Sequence, residues 1–373
     1  MEGAPAVNSQ PLHSSVVNRL LSLGGGSWTG ATGLLLLLMI AVPCFVTLPW
    51  SADPDRYRET DSANAYAPPT SAEPFGSDSL GRSMLWRTLL GGAISLSIGI
   101  SAAVISVAIG VGWGAISGYI GGRTDATMMR VVDILYGLPY ILLVVLMAVA
   151  VDGVVSGYMN RQFQQRDSIE QQKLVLVAAA EAARNEQRIV DAEKIEAQVS
   201  QLTYEKTALM NLVEDYPWVI NLFTLIIAIG GVSWLTMARV IRGQVLSLRS
   251  QPFVEAARAL GVGPWRILRI HLLPNLIGPI VVYTTLTVPS AILQESFLSF
   301  LGIGVQPPMP SWGNLASDGL PEVHSVLNPD EDSRWWLLFW PCFLLGLTLM
   351  ALNFLGDALR SRIDPKSRKN ATA

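Results

Sequence analysis

The sequence predicts an all-α polytopic membrane protein with six transmembrane helices. Three observations carry that expectation. Of 373 residues, 50% are hydrophobic and only 15% charged, a balance unlike that of a soluble globular domain. Six stretches, Leu20–Ala52, Thr88–Gly122, Ile134–Val151, Tyr216–Ala238, Ile270–Gln294 and Trp335–Gly356, contain no Asp, Glu, Lys or Arg, and a bilayer core needs about 20 apolar residues per helix. The charges between these stretches are segregated by sign.

Residues 1–29 form a short polar, Gly-containing tail. The first span is expected over about 30–50, and residues 30–87 join it to a segment rich in Pro, Asp and Ser. The apolar core Leu34–Trp50 starts too late and runs too long for a cleaved signal peptide, and meets no A-x-A-like site, so it is expected to remain as an anchor. The remaining spans are expected at about 88–120, 129–151, 217–238, 274–298 and 335–356. The second exceeds one perpendicular crossing, which predicts tilt or extension beyond the bilayer. Gly110, Gly114 and Gly118 make a small-residue stripe along it. Such a stripe lets helices approach closely, although small residues are also tolerated anywhere in a membrane helix.

The region 152–216 interrupts this plan. Tyr158–Tyr216 holds 59 residues without Gly or Pro and is rich in Ala, Glu, Gln, Arg and Lys, a helical composition. Ile195, Val199, Leu202, Leu209 and Val213 follow heptad spacing, with Lys206 as the polar member. Ile169, Leu176, Ala180, Ala183 and Val190 match it more weakly. One unbroken helix would reach about 90 Å, so a coiled-coil-like hairpin turning near Arg184–Gln187 is expected. Its parity in the chain places it outside the cytoplasm.

Sidedness follows from the Arg distribution. Arg239–His271 holds six Arg against Glu255, and the tail 357–373 holds five basic residues against two acidic. Ser51–Arg87 has six acids against four bases, and Asp318–Arg334 has five acids against one Arg. The positive-inside rule puts the Arg-rich loop, the basic tail and, with six spans, both termini in the cytoplasm.

The Arg-rich loop carries the most specific pattern, VEAARALGVGPWRILRIHLLPN over Val254–Asn275. Ala256, Ala257 and Gly261 would give a helix a small-residue contact face for a partner's groove. Gly261 and Gly263-Pro264 would end that helix sharply, and Glu255 would sit near its favourable N-terminus. The alternative is an ordinary amphipathic loop helix. The spacing Glu255-Ala256-Ala257, three residues, Gly261, then Leu273-Pro274 resembles the EAA loop of importer-type ABC permeases. His271 stands where that pattern has Ile, and His-x-Leu-Pro-Asn resembles the peptide-transport branch.

The resemblance continues elsewhere. Phe75-Gly76-Ser77-Asp78-Ser79-Leu80-Gly81-Arg82 is similar to the segment before span two in the C-type subunits of dipeptide and oligopeptide permeases. Gly118-Tyr119-Ile120-Gly121-Gly122 with Met129-Arg130-Val131-Val132-Asp133 resembles their turn into span three. Leu298–Gly302, Val305–Pro308 and Pro310–Gly313 resemble the segment after span five, and Leu352–Asp357 resembles the last span. Only the N-terminal tail and Asp152–Asp215 fall outside it.

What the resemblance implies is the type I importer fold over 88–356 and the role of a permease subunit in a bacterial inner-membrane, ATP-driven importer of di- or oligopeptides. Nickel or another small solute would be the alternative cargo. The implied partners are a homologous second permease subunit, two ABC ATPase subunits bound through the EAA loop, an extracytoplasmic substrate-binding protein and membrane lipid, with no nucleic acid. No G-x-x-x-x-G-K-[ST] phosphate loop occurs, so the chain is not expected to hydrolyse ATP itself. A membrane scaffold using the coiled-coil insertion, or an ion-driven secondary transporter, would leave the EAA pattern without an account.

Four sets of other residues bear on a site. Asp133 lies near Arg130 one turn back, which suggests a local ion pair. Glu295, about 20 residues into span five, suggests either a pathway-lining carboxylate or one snorkelling to the interface. Trp312, Trp335, Trp336 and Trp340 suggest an interface belt. His13, His271 and His324 have no ligand spacing, and Cys44 and Cys342 fall inside spans, so no metal, cofactor or disulfide is expected.

Overall fold

The computed structural model describes residues 28–185, 189–208, 217–327 and 332–363. Among these the regular structure is helical, apart from one isolated bridge between Ser77 and Ser83. Ten helices organise it: α1 Trp28–Val46, α2 Met84–Ile120, α3 Gly122–Tyr136, α4 Tyr140–Asn185, α5 Ile189–Ala208, α6 Pro217–Leu248, α7 Pro252–Ala259, α8 Pro264–Phe300, α9 Trp312–Gly319 and α10 Trp336–Ile363. Six of them, α1, α2, α4, α6, α8 and α10, are long and apolar enough to cross a membrane. The fold class read from the charge-free runs is therefore observed.

One expected element differs. The third span was expected as a single helix over 129–151. Instead α3 ends at Tyr136 and α4 begins at Tyr140. Pro139 disfavours helical geometry at Leu138 and has no N–H to donate, so the helix stops at Gly137 and restarts one residue after the proline.

The described residues divide into two compact units, with boundaries after Val145 and Thr224. In the larger unit α8 packs on α2 and α10, and α10 packs on α1 and α9. Glycines set the separation between helices. A Cβ on Gly33 of α1 would come within 2.7 Å of the Ala351 carbonyl oxygen of α10. The Gly110, Gly114, Gly118 stripe lets α2 lie against α6. Cβ atoms there would meet Met237 Cβ at 2.6 Å, the Ala238 oxygen at 2.4 Å and the Arg242 oxygen at 2.9 Å.

The segment between α1 and α2 is tied down by polar contacts. Asp78 Oδ1 accepts from the Leu80 and Arg82 amides, each at 2.9 Å, and its Oδ2 accepts from Arg82 Nε and from Arg87. Tyr66 donates to Glu322 at 2.8 Å, and Arg334 donates to the other oxygen of the same carboxylate at 2.6 Å. Burial alone would raise the Glu322 carboxyl, but these two donors hold it below the usual range.

In the smaller unit α4 and α5 are two helices joined by Arg184 to Glu196 at 2.7 Å, with Ala180 and Ala183 buried. The expected turn at Arg184–Gln187 falls partly on residues 186–188, outside the described residues, as do Leu209 and Val213 of the heptad pattern.

Candidate functional site: the loop between α6 and α8

The loop begins where α6 leaves the bundle. Arg249 Nη1 donates to the Gly118 carbonyl at 3.0 Å, supplying a cation and a donor at the C-terminal end of α2. Gly121, at φ +71°, ends that helix, and α3 follows directly. Asp125, in the first turn of α3, accepts from Arg242 Nε at Oδ1 and from Nη2 at Oδ2, each at 2.6 Å, and from Ser117. Together these fix the far ends of α2, α3 and α6 as a platform.

The helix α7 starts with Pro252 at its first position, where a missing N–H costs nothing, and carries Glu255 in its first turn. Its end is a Schellman motif. The Gly261 amide donates to the Arg258 carbonyl at 2.9 Å and the Val262 amide to the Ala257 carbonyl at 3.0 Å, with Gly261 at φ +75°. That left-handed conformation is why glycine stands here in the pattern.

The inner face of α7 differs from expectation. Val254 and Ala257 are buried, packed with Ala115, Met237, Ile241, Val245, Ile267 and Leu272. Ala257 therefore lies on the face that seats α7 on its own bundle, not on an outer contact face. The helical period of about 3.6 residues decides this, because Ala257 follows Val254 by three positions and shares its side. Glu255, Ala256 and Gly261 are exposed. Beside them stand two apolar residues absent from the EAA pattern: Leu260 is 84% exposed and Trp265 is 68% exposed. Large apolar side chains at such exposure, Leu260 just past the end of α7 and Trp265 at the start of α8, form protruding apolar surface that suits a partner's groove.

The chain then enters α8 through a π turn, Ile267–Leu272. Ile267, Leu268 and Leu272 are buried in the same cluster as Val254, and Leu273 packs partly against it, while Pro274 is exposed. His271 lies within the π turn, half-buried. Leu273 thus anchors the loop's second end.

The remaining candidates move. Asp133 does not pair with Arg130. It accepts from Arg239 Nη2 of α6 at 2.7 Å, and that guanidinium also stacks 3.9 Å from the Tyr136 ring. Arg130 lies exposed on α3. Helix rotation explains the change, since α6 brings Arg239 alongside Asp133 while Arg130 faces outward.

Glu295 neither lines an open path nor snorkels. It is fully buried, with Ser299 donating to Oε1 at 2.7 Å, Ser296 to Oε2 at 3.3 Å, and the Ser95 and Ser311 hydroxyls completing the cage. This knot locks α9 between α2 and α8. Ser311 caps α9 through a capping box with Asn314. Trp312 is likewise buried rather than interfacial, its indole N–H donating to the Thr88 carbonyl at 3.1 Å. Trp336 is buried too, bonded to the Ser77 carbonyl at 3.1 Å. Trp335 stays 43% exposed.

Comparison with known proteins places this geometry. Residues 110–369 match the family described as binding-protein-dependent transport system inner membrane component. An oligopeptide transport system permease protein of Haemophilus influenzae is 38% identical over 336 residues, covering 89% of this chain and 84% of that protein. A dipeptide transport system permease protein of Bacillus subtilis is 37% identical over 302 residues, covering 81% and 71%. The oligopeptide permease protein of Escherichia coli K12 is 36% identical over 335 residues, covering 89% and 86%. The family match spans the glycine stripe, α7 with its Schellman end, the π turn and the Glu295, Ser296, Ser299 and Ser311 part of the serine cage, and on that breadth the chain belongs to the inner membrane components of binding-protein-dependent transport systems, as a multi-pass ABC permease subunit.

Proposed function

We propose that this subunit imports di- or oligopeptides, forming half of the translocation pathway and taking its motion from ATPase subunits docked on α7. The observation that carries the docking reading is the seated α7 with an outward Ala256, followed by the exposed Leu260, Gly261 and Trp265. Burying side chains like Leu260 and Trp265 is worth about 1.5–3 kcal/mol each. A rigidly packed α7 passes a push from an ATPase to α2, α6 and α8 through the Val254–Ala257 face, giving alternating access by rigid-body motion.

The Arg distribution supports placing α7, residues 1–29 and residues 357–373 in the cytoplasm, the permease domain over 88–356, and the insertion 152–216 on the outer side of a bacterial inner membrane. ATP hydrolysis belongs to the two partner ATPases. A homologous second permease subunit completes the pathway, and an extracytoplasmic binding protein delivers solute. The peptide reading is supported by the relatives' dipeptide and oligopeptide systems. Nickel uptake by the same machinery is the competing cargo.

The test is purification of the assembled importer carrying Leu260→Asp, with ATPase recovery and uptake of labelled tri-alanine measured together. The variant should reach the membrane, lose its ATPase and stop uptake. Full ATPase recovery and normal uptake would remove α7 from the coupling role. Tri-alanine left untouched by wild type, with nickel taken up, would replace the cargo and keep the machinery.

A further inference from the structure

A second polar site lies well inside the bundle, at the break between α3 and α4. Tyr140, the first residue of α4, donates its hydroxyl to Gln294 Oε1 at 2.6 Å and lies 3.0 Å from Ser233 Oγ. Three membrane helices, α4, α6 and α8, therefore meet at one hydrogen-bonded point. Its height is fixed by neighbouring close contacts. A Cβ on Gly99 of α2 would reach Ile292 Cγ1 of α8 at 2.3 Å, and one on Gly230 of α6 would reach the Ala102 oxygen of α2 at 2.9 Å. Residues 99 and 102 lie near the middle of the 37-residue α2.

The outward face of α8 at this height carries two polar side chains beside the exposed Leu293 and Phe297. Gln294 Nε2 donates to Ser290 Oγ at 3.0 Å, and Ser290 is exposed while Gln294 is half-exposed. A hydroxyl and a primary amide turned toward hydrocarbon at mid-depth are costly. Facing water or a polar solute, they carry no such cost. Gln294 can form one further N–H bond and accept one further bond beyond those it makes here.

Beside this polar line is a cavity of about 250 Å³, walled by Val144, Leu293, Phe297 and Leu298 with Tyr140 and Gln294 at its edge. The surface of the recess is apolar, with the Gln294–Ser290 pair beside it rather than in its wall, a make-up that suits an apolar side chain. The recess lies at the start of the spanning helix α4, where Gly137-Leu138-Pro139 separates it from α3.

We propose that Tyr140, Gln294 and Ser290 border the translocation pathway, and that the adjoining recess receives one apolar side chain of the passing solute. An aromatic or branched aliphatic side chain enters between Val144 and Phe297 while Gln294 bonds the neighbouring backbone amide. The backbone contact rests on the peptide reading above. The pathway placement does not.

Two measurements on the assembled importer in proteoliposomes, with its binding protein and ATPases, test this. In a Cys342→Ser background, which leaves only the buried Cys44, Ser290→Cys should react with a charged methanethiosulfonate during ATP turnover, and tri-alanine should slow the reaction. A thiol that stays unreactive throughout turnover means that lipid or the second permease subunit covers this face, and overturns the placement. Val144→Trp, which fills the recess, should cut uptake of Ala-Phe-Ala about tenfold or more relative to tri-alanine, the scale at which a hydrophobic pocket discriminates. Equal losses for both peptides, or none for either, overturn the side-chain subsite. If wild type moves neither peptide, the peptide reading and the Gln294 backbone contact fail together, and the Ser290→Cys result alone decides the pathway placement.

Discussion

Arg242 of α6 grips both carboxylate oxygens of Asp125 in α3, Nε to Oδ1 and Nη2 to Oδ2, each at 2.6 Å. A bidentate guanidinium–carboxylate pair fixes orientation as well as distance. It holds α3 against the end of α6 just where α7 departs.

The hydrogen bond from Arg242, opposed by partial burial and aided by Ser117, holds the Asp125 carboxyl below the usual carboxylate range. A depressed folded-state value gives stability that is fully present above about pH 4, the value of an unpaired Asp, and is lost as pH falls through the lowered value. Asp125→Asn should lower thermal stability in detergent at pH 7 by about 1–2 kcal/mol, after discounting for solvent at the half-exposed Arg242. It should also flatten the acid limb of the stability profile. A variant with the wild-type melting temperature and acid limb would show the pair to be ornamental.

The packed face of α7 and the exposed residue at its end should separate by phenotype. Ala257→Arg forces a charge into the packed face with Val254 and Ile267 and should destabilise the protein by several kcal/mol, on the order of 3 or more. Leu260→Asp, on a residue 84% exposed, should leave detergent stability within about 0.5 kcal/mol. Thermal unfolding of the purified subunit distinguishes them, and similar melting temperatures for both would contradict the seating of α7.

The glycine stripe predicts a sharp positional contrast. Gly114→Leu places a Cβ 2.4 Å from the Ala238 oxygen, a backbone atom that cannot move aside. It should cost about 1–3 kcal/mol or more and reduce membrane yield. Gly112→Leu, with open space around the new Cβ, should be tolerated. Equal yields would mean that α2 and α6 do not need this approach.

Glu295 offers a test of buried polar satisfaction. Glu295→Gln keeps an acceptor and the volume within the serine cage, whereas Glu295→Ala leaves the hydroxyls of Ser95, Ser299 and Ser311 without it. The alanine variant should lose about 3 kcal/mol from unmet hydrogen bonds and the cavity, with the glutamine variant clearly milder. Comparable losses in the two would sink the cage interpretation.

The sequence made the bundle legible because charges cannot be left in hydrocarbon, and six charge-free runs announce six spans. Gly261 and the stripe at Gly110, Gly114 and Gly118 were legible for an equally local reason, since only glycine suits a left-handed helix end or a backbone-on-backbone approach. The break at Pro139 was missed, although a proline disfavours helix at the residue before it, because the charge-free run Ile134–Val151 continues across it. The burial of Trp312 and Trp336 was not, because an indole at a span's edge reads the same whether it meets lipid headgroups or a neighbouring carbonyl.

Along the line of the chain the residues announce which segments are apolar, where helices must stop, and which short pattern marks the loop before α8. Rotation about the bundle's helix axes comes only from packing in three dimensions. It gives Asp133 to Arg239 instead of Arg130 and encloses Glu295 among four serines. In membrane helices apolar residues cover every face, so hydrophobic periodicity fixes no preferred side. The choice falls to close packing at small residues and to pairing of a few buried polar groups, and both depend on neighbours distant in the chain.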